Sequence, residues 1–282
     1  MRVFFDVPFE SRGIRRVALQ LAMYLPEDIE IATDPRSADL TVIHVVGRHD
    51  HNVERAQDYV NLGHKYAVIQ YVLNSCRNPD PEDWVDLWNG AKVVWSYYDL
   101  HKWCPTLYHA PLGVLSDKFY KKDVEKKYLV GTIGSEPNSE CFNEVRLACF
   151  NAGGRMLHIG KKFAEDPIMD CVENVSDDEL RYYYNQCKWF SSLRKDDGFE
   201  MPALEALLCG VRPIMFDTIN YRQWYNNFAK FIPERTVGDT VRNLKKILVT
   251  EPDVVTNEEI TEIKERFDWK TLVEGFWNRC RI

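Results

Sequence analysis

Short apolar runs alternate with amphipathic stretches along nearly the whole of this 282-residue chain. No other feature restricts the fold as tightly. Runs at Val3–Phe5, Ile29–Thr33, Leu40–Val46, Tyr66–Val72, Lys92–Ser96 and Leu107–His109 read as strands. Helical patterns lie between them, most clearly over Gly13–Leu25, where Val17, Leu21, Tyr24 and Leu25 share one face. Near-continuous apolar strands separated by helices predict a parallel sheet covered on both sides. The pattern breaks at APLGVLSDKFYKKDVEKKY, where Pro and Gly precede a charged run without apolar period. Such a stretch is expected of an inter-domain linker.

The alternation then restarts. Strands are expected at Tyr128–Ile133, Met156–Ile159, Met169–Val172, Trp189–Ser192, Pro213–Phe216 and Phe228–Ile232. Helices are expected at Asn143–Asn151, Asp177–Gln186, Pro202–Cys209 and Val237–Val249, with Ser176 and Glu179 as a capping box before the second. The tail Asn257–Ile282 reads as helix with an interruption at Phe267–Trp269. The fold class is therefore α/β, with two Rossmann-like domains, residues 1–113 and 114–265, followed by a terminal segment 266–282. In such sheets ligands sit at the carboxyl ends of the strands, which for two domains means the cleft they face.

Composition narrows the function classes. With 45% hydrophobic and 28% charged residues the chain is globular rather than disordered. Its 36 Lys+Arg and 43 Asp+Glu give a net charge of −7, spread evenly over both halves. That argues against a general polyanion binder, although a local basic groove at Arg12, Arg15, Arg16 and Arg48 keeps a nucleic-acid acceptor open. The longest apolar runs are too short to span a bilayer, and MRVFFDVPFE lacks the hydrophobic stretch of a signal peptide. Eight cysteines form no C-x-x-C pair and mostly sit in apolar runs, as small core residues do. A soluble, cytoplasmic protein is expected.

The densest constellation is WFSSLRKDDGFEMPALEALLCGVRPIMFD, residues 189–217. It reads as strand, polar loop, helix, tight turn, strand. Pro202 suits a first helical turn, where its missing N–H has no partner to lose. Gly210 suits the left-handed residue past the helix end. The helix Pro202–Cys209 then points free N–H groups at the strand's carboxyl end, a ready anion site. Asp197 precedes this helix and Glu205 lies in its first turns. A carboxylate beside a phosphate site does not bind the phosphate; its natural partners are sugar hydroxyls.

Two acidic residues eight apart, bracketing G-F-x-x-P-x-L and followed by E-A and a Gly, resemble the signature of family 4 retaining glycosyltransferases of the GT-B fold. The resemblance implies that Glu205 holds the ribose of a nucleotide and that Asp197 contacts hydroxyls of the transferred sugar. It places Gly198, Phe199, Glu200, Met201 and Pro202 along the diphosphate or sugar. HAPLGVLSDKF resembles the family's interdomain strand, with Pro111, Gly113, Val114 and Phe119. RFDWKTLVEGFWNRC resembles the terminal helix that crosses back onto the first domain, and FESRGIRRVALQLAMYL resembles the glycine loop facing the donor phosphates, with Gly13 as the close-approach residue. The implied activity is metal-independent transfer of a hexose from a UDP- or GDP-linked sugar, without further cofactor. The implied acceptor is a hydroxyl, expected on a carbohydrate.

Departures from the family pattern define the open questions. Thr132 in VGTIGSEPNSE stands where the family has a phosphate-binding Arg, with no Lys nearby. Arg194 and Lys195, Lys161 and Lys162, or Arg15 and Arg16 are the candidates to replace that pair. In ADLTVIHVVGRHDHN, His44 is kept, Val46 falls where a second His would touch the sugar, and Arg48, His49 and His51 follow. The HDH spacing lacks the further ligands of a metal site. His44 and Arg48 thus join Asp197 and Glu205 as candidate catalytic residues. A non-catalytic sugar- or nucleotide-binding protein, a nucleotide-sugar epimerase and a transferase acting on a modified DNA base remain as alternatives. Oligomeric state stays open.

Overall fold

The computed structural model describes residues 1–7, 12–45, 52–61, 63–73, 84–163, 166–195 and 198–281, without the side chains of 12 and 52–56. The chain divides into two compact units, one of residues 1–113, 196–198 and 269–282, the other of residues 114–195 and 199–268.

The first unit begins with β1 (Arg2–Asp6), α1 (Arg12–Met23), β2 (Glu30–Ile31), a 3₁₀ turn at Pro35–Ser37 and β3 (Leu40–Val45). It continues through α2 (Asn52–Asn61), β4 (Lys65–Gln70), α3 (Val85–Gly90), β5 (Val94–Ser96) and β6 (Leu107–His109). Its six strands form one sheet in the order β2-β1-β3-β4-β5-β6, every pair parallel. All six residues of β3, LTVIHV, are buried, as expected where helices cover both faces of a parallel sheet.

The second unit contains β7 (Tyr128–Gly134), α4 (Phe142–Asn151), β8 (Met156–Gly160), β9 (Met169–Val172), α5 (Asp177–Asn185) and β10 (Cys187–Ser192). Then come α6 (Met201–Leu208), β11 (Arg212–Phe216), α7 (Ile219–Tyr225), β12 (Lys230–Ile232), α8 (Val237–Leu248) and α9 (Asn257–Arg266). Its sheet runs β12-β11-β10-β7-β8-β9, again parallel throughout. The expected capping box closes the start of α5, with Ser176 and Glu179 exchanging hydrogen bonds. Gly210 follows α6 at φ +75°, the left-handed conformation that a glycine reaches without a Cβ clash.

The last helix, α10 (Trp269–Arg281), belongs to the first unit. Its buried residues Trp269, Leu272, Val273, Phe276, Trp277 and Cys280 follow helical spacing along one face. Trp277 is fully buried and its Nε1–H donates to the Leu21 carbonyl at 3.3 Å. Trp95 meets Tyr108, Trp269 and Phe276 in the same aromatic core. Truncating such a ring costs about 3–5 kcal/mol, so α10 is integral to the first unit. The helix break expected at Phe267–Trp269 separates α9 from α10. Among the described residues no helix is long and apolar enough to cross a membrane.

Candidate active site

The strand order of the second sheet fixes where to look. It reverses direction between β7 and β10, and open parallel sheets bind ligands outside the carboxyl ends at such a reversal. At the end of β7, Gly134 has φ +149°, and a Cβ there would lie 1.8 Å from Glu140 Oε1. The missing side chain lets the loop fold back, so Glu140 accepts the Ser135 and Glu136 N–H groups at 2.8 and 3.0 Å. From the end of β10, Arg194 Nη1 reaches Glu140 Oε1 at 3.3 Å and Nε reaches Glu200 Oε1 at 2.9 Å. Both carboxylates are nearly sealed from water. Burial raises the Glu140 carboxyl above its ordinary value, with the Arg194 charge pulling the other way. Lys195 Nζ lies 3.3 Å from Glu144 Oε1 on α4.

The two cations nominated beside the acidic loop are therefore engaged with carboxylates of α4, its preceding loop and the start of α6. The Arg194 guanidinium, about one-fifth exposed, bridges two buried carboxylates. An incoming phosphate would have to displace one carboxylate or meet it protonated.

α6 starts from this triad. Glu200 occupies its N-cap without a side-chain capping bond, and Pro202 falls in the first turn. The Tyr225 hydroxyl pins the Glu200 peptide, accepting from its N–H at 3.0 Å and donating to its carbonyl at 2.8 Å. Phe199 packs on Trp224, Tyr225 and Phe267. Met201 and Pro202 are half-buried. Glu205 is 3% exposed, and its Oε2 accepts the Tyr184 hydroxyl at 2.9 Å. The tyrosine thus orients a carboxylate that α6 carries in its second turn. Gly198 belongs to the first unit, where a Cβ would meet the Tyr98 ring at 2.6 Å.

Thr132, at the position where an Arg was expected, is buried and bonds His158 Nδ1 at 2.9 Å. His158 Nε2 faces the Lys161 carbonyl at 3.0 Å. That carbonyl can only accept, so Nε2 carries the proton and Nδ1 accepts from the Thr132 hydroxyl. Burial lowers the His158 pKa, keeping the ring neutral. Lys161 and Lys162 are exposed beyond it.

In the first unit the strand order reverses between β1 and β3. His44 on β3 is fully buried, its Nδ1 2.7 Å from the Tyr71 hydroxyl. With no accessible surface it is, in this state, a core partner of Tyr71. Gly13 lies in the first turn of α1, half-buried, with Arg15 exposed. Asp197, Arg48, His49 and His51 lie outside the described residues. The aromatics Trp84, Trp88, Trp95, Tyr97 and Tyr98 are all buried in the core. Glu140, Tyr184 and Tyr225 were not nominated from the sequence.

No protein-family model and no curated protein matches the sequence. Solved structures do match the fold. HepE of Anabaena, solved with UDP and glucose, superposes with TM-score 0.75 at 8% identity over 99% of each chain. Sucrose-phosphate synthase of Thermosynechococcus elongatus gives 0.72 at 11% identity, covering 100% of this chain and 98% of that one. The UDP-forming α,α-trehalose-phosphate synthase of Burkholderia xenovorans, solved with glucose-6-phosphate, gives 0.65 at 10%, covering 96% and 78%. The chain has the GT-B fold. Within a GT-B chain the reversal beside β7 and β10 is the part whose local sequence, GFEMPALEA, also carries the family 4 resemblance.

Proposed function

We propose that this chain is a retaining glycosyltransferase that moves a hexose from a UDP- or GDP-linked donor to a hydroxyl of a carbohydrate acceptor. It works in the cytoplasm and needs no metal at the diphosphate. The observation that carries the reading is Glu205, a buried carboxylate oriented by Tyr184 on the helix that opens at the β7/β10 reversal. A carboxylate there suits paired ribose hydroxyls, while the N–H groups at the start of α6 suit phosphate oxygens. Asp197 takes the hydroxyls of the transferred sugar, along the backbone of Gly198–Pro202. Lys161, together with Arg194 and Lys195 once their carboxylates give way, supplies positive charge to the diphosphate from the second unit, and Gly13 and Arg48 belong to the donor and acceptor side of the first.

Retention through double displacement would need a carboxylate nucleophile opposite the leaving group. Glu205 serves the ribose in this reading, so a front-face route is favoured. The bond from the anomeric carbon to phosphate oxygen breaks, the acceptor oxygen bonds on the same face, and the acceptor proton passes to the departing phosphate. The protein contributes positioning and charge stabilisation. UDP occurs in the HepE structure and UDP with GlcNAc in that of the pneumococcal O-GlcNAc transferase GtfA, which supports a nucleotide-sugar donor.

Arg194 and Lys195 are already held by carboxylates, and this favours a second reading, a sugar- or nucleotide-binding protein without turnover. A thermal-shift screen against nucleotide sugars, followed by transfer assays on an acceptor panel, separates the two. Stabilisation with turnover supports the transferase; stabilisation without turnover supports the binder. Glu205→Ala is expected to weaken donor binding about 10–100-fold, the loss of one or two hydrogen bonds to a charged group. Equal stabilisation of variant and parent across donor concentrations would remove Glu205 from the site.

A further inference from the structure

The β5-to-β6 crossover of the first unit gathers three metal-ligating side chains that the transfer reading does not use. Asp99 and His101 lie just past the carboxyl end of β5. His109 ends β6, in register with Ser96. One ligand atom from each of the three lies within 4.8 Å of the others.

Asp99 Oδ1 and His101 Nδ1 are 2.8 Å apart, and the His101 N–H also donates to Asp99 Oδ1 at 3.3 Å. A surface turn accounts for that pair alone. It does not account for His109, which arrives from another strand and sets its ring at 87° to His101 with centroids 5.6 Å apart. The His109 ring is half-buried.

We propose that Asp99, His101 and His109 bind a first-row transition-metal ion of the Zn²⁺ class, leaving coordination positions open to solvent. Ligands about 2.0–2.2 Å from a shared tetrahedral ion stand roughly 3.3–3.6 Å apart. The Asp99–His101 pair, 2.8 Å apart, has to open by about half an ångström to admit the ion. The remaining adjustment falls on Asp99 and His101, whose side chains are about two-thirds exposed and free to turn. Two imidazoles and one carboxylate select Zn²⁺, Ni²⁺, Co²⁺ or Cu²⁺ over Mg²⁺ and Ca²⁺, which favour all-oxygen shells. Three protein ligands leave at least one position of a tetrahedral ion for water or a ligand group.

The test is calorimetric titration of the untagged 282-residue chain with Zn²⁺ and with Ni²⁺, alongside cobalt absorption spectra. One saturable equivalent per chain is expected, with no heat from Mg²⁺ or Ca²⁺. Asp99→Asn and His101→Ala should each weaken binding at least about tenfold. Both are exposed, so their unfolding without metal should match the parent, while the metal-induced rise in Tm disappears. The assignment is overturned by absence of saturable binding or by unchanged affinity in the double variant. Loss of binding in a His49→Ala/His51→Ala chain with retention in His101→Ala would overturn it too. So would an intense thiolate-to-cobalt band, which would put the ion on cysteine.

Discussion

The two six-stranded sheets come from the same alternation of strand and helix, yet they treat buried polar groups differently. Among the described residues, the buried polar groups on the strands of the first sheet are Thr41, His44, Gln70 and Ser96. Thr41, His44 and Gln70 are at most 1% exposed, and His44 meets Tyr71 while Gln70 accepts from the Trp88 indole. In the second, charged side chains converge on the strand reversal, with Glu140, Glu200 and Glu205 buried and Arg194 about one-fifth exposed between the first two. A neutral pair loses little on leaving water, whereas a buried ion pair holds only while its geometry is complete. A unit built for stability alone would have little use for such a triad.

Arg194→Ala gives the sharpest way to break this contrast. It strands two buried carboxylates, so denaturant unfolding should show a loss of about 3–5 kcal/mol. A loss under about 1 kcal/mol would mean that the triad is well solvated and the two units are alike. Next comes Tyr184→Phe, which removes the hydroxyl on Glu205 Oε2. An unmet buried carboxylate oxygen costs about 1–3 kcal/mol, and donor-induced thermal shift should fall with it. Tyr71→Phe is the matching change in the first unit. It is expected to cost about 1 kcal/mol by the same measurement, without changing any donor response.

The smallest effect is a slope in pH. Burial holds the Glu140 carboxyl above its ordinary value of 4.5. The folded state therefore takes up its proton more readily than the unfolded one. The resulting stability is fully present below 4.5 and is lost as pH rises through the raised value. Glu140→Gln should remove that slope, so the parent gains on the variant as pH is lowered from neutrality toward 4.5. Parallel curves in urea unfolding across that range would mean that Glu140 titrates as it does in the open chain.

The twelve strands were legible because each is a compact apolar run bounded by turn residues. Edge positions were the least exact. β2 shortens to Glu30–Ile31 at the rim of its sheet, where only one neighbour supplies hydrogen bonds. α2 and α7 were not anticipated. α7 is aromatic-rich, and Thr218 caps it through the Tyr221 N–H without the acidic third residue that marks a capping box. In the site, α6 with Pro202, Glu205 and Gly210 could be read because local chemistry demands those residues at those places. Glu140 could not. Its role depends on Arg194, more than fifty positions away, and on a glycine whose absent side chain makes room for it. The same holds for Tyr184, which meets Glu205 across twenty-one positions. Periodicity carries no information about such pairings.

The last helix has a consequence for how the chain is made. Trp277 donates to Leu21 across 256 positions, and the interior of the first unit is finished only when α10 arrives. During synthesis, domains generally fold in the order they emerge. Here the β-strands nearest the start must wait, incomplete, while the second unit emerges whole and can close first. Removing α10 from the nascent chain would leave Trp95 and Leu21 facing water, an apolar surface inviting chaperones or a neighbouring copy. Leu21 and Trp95 thus reach their final packing only after the second unit has been made.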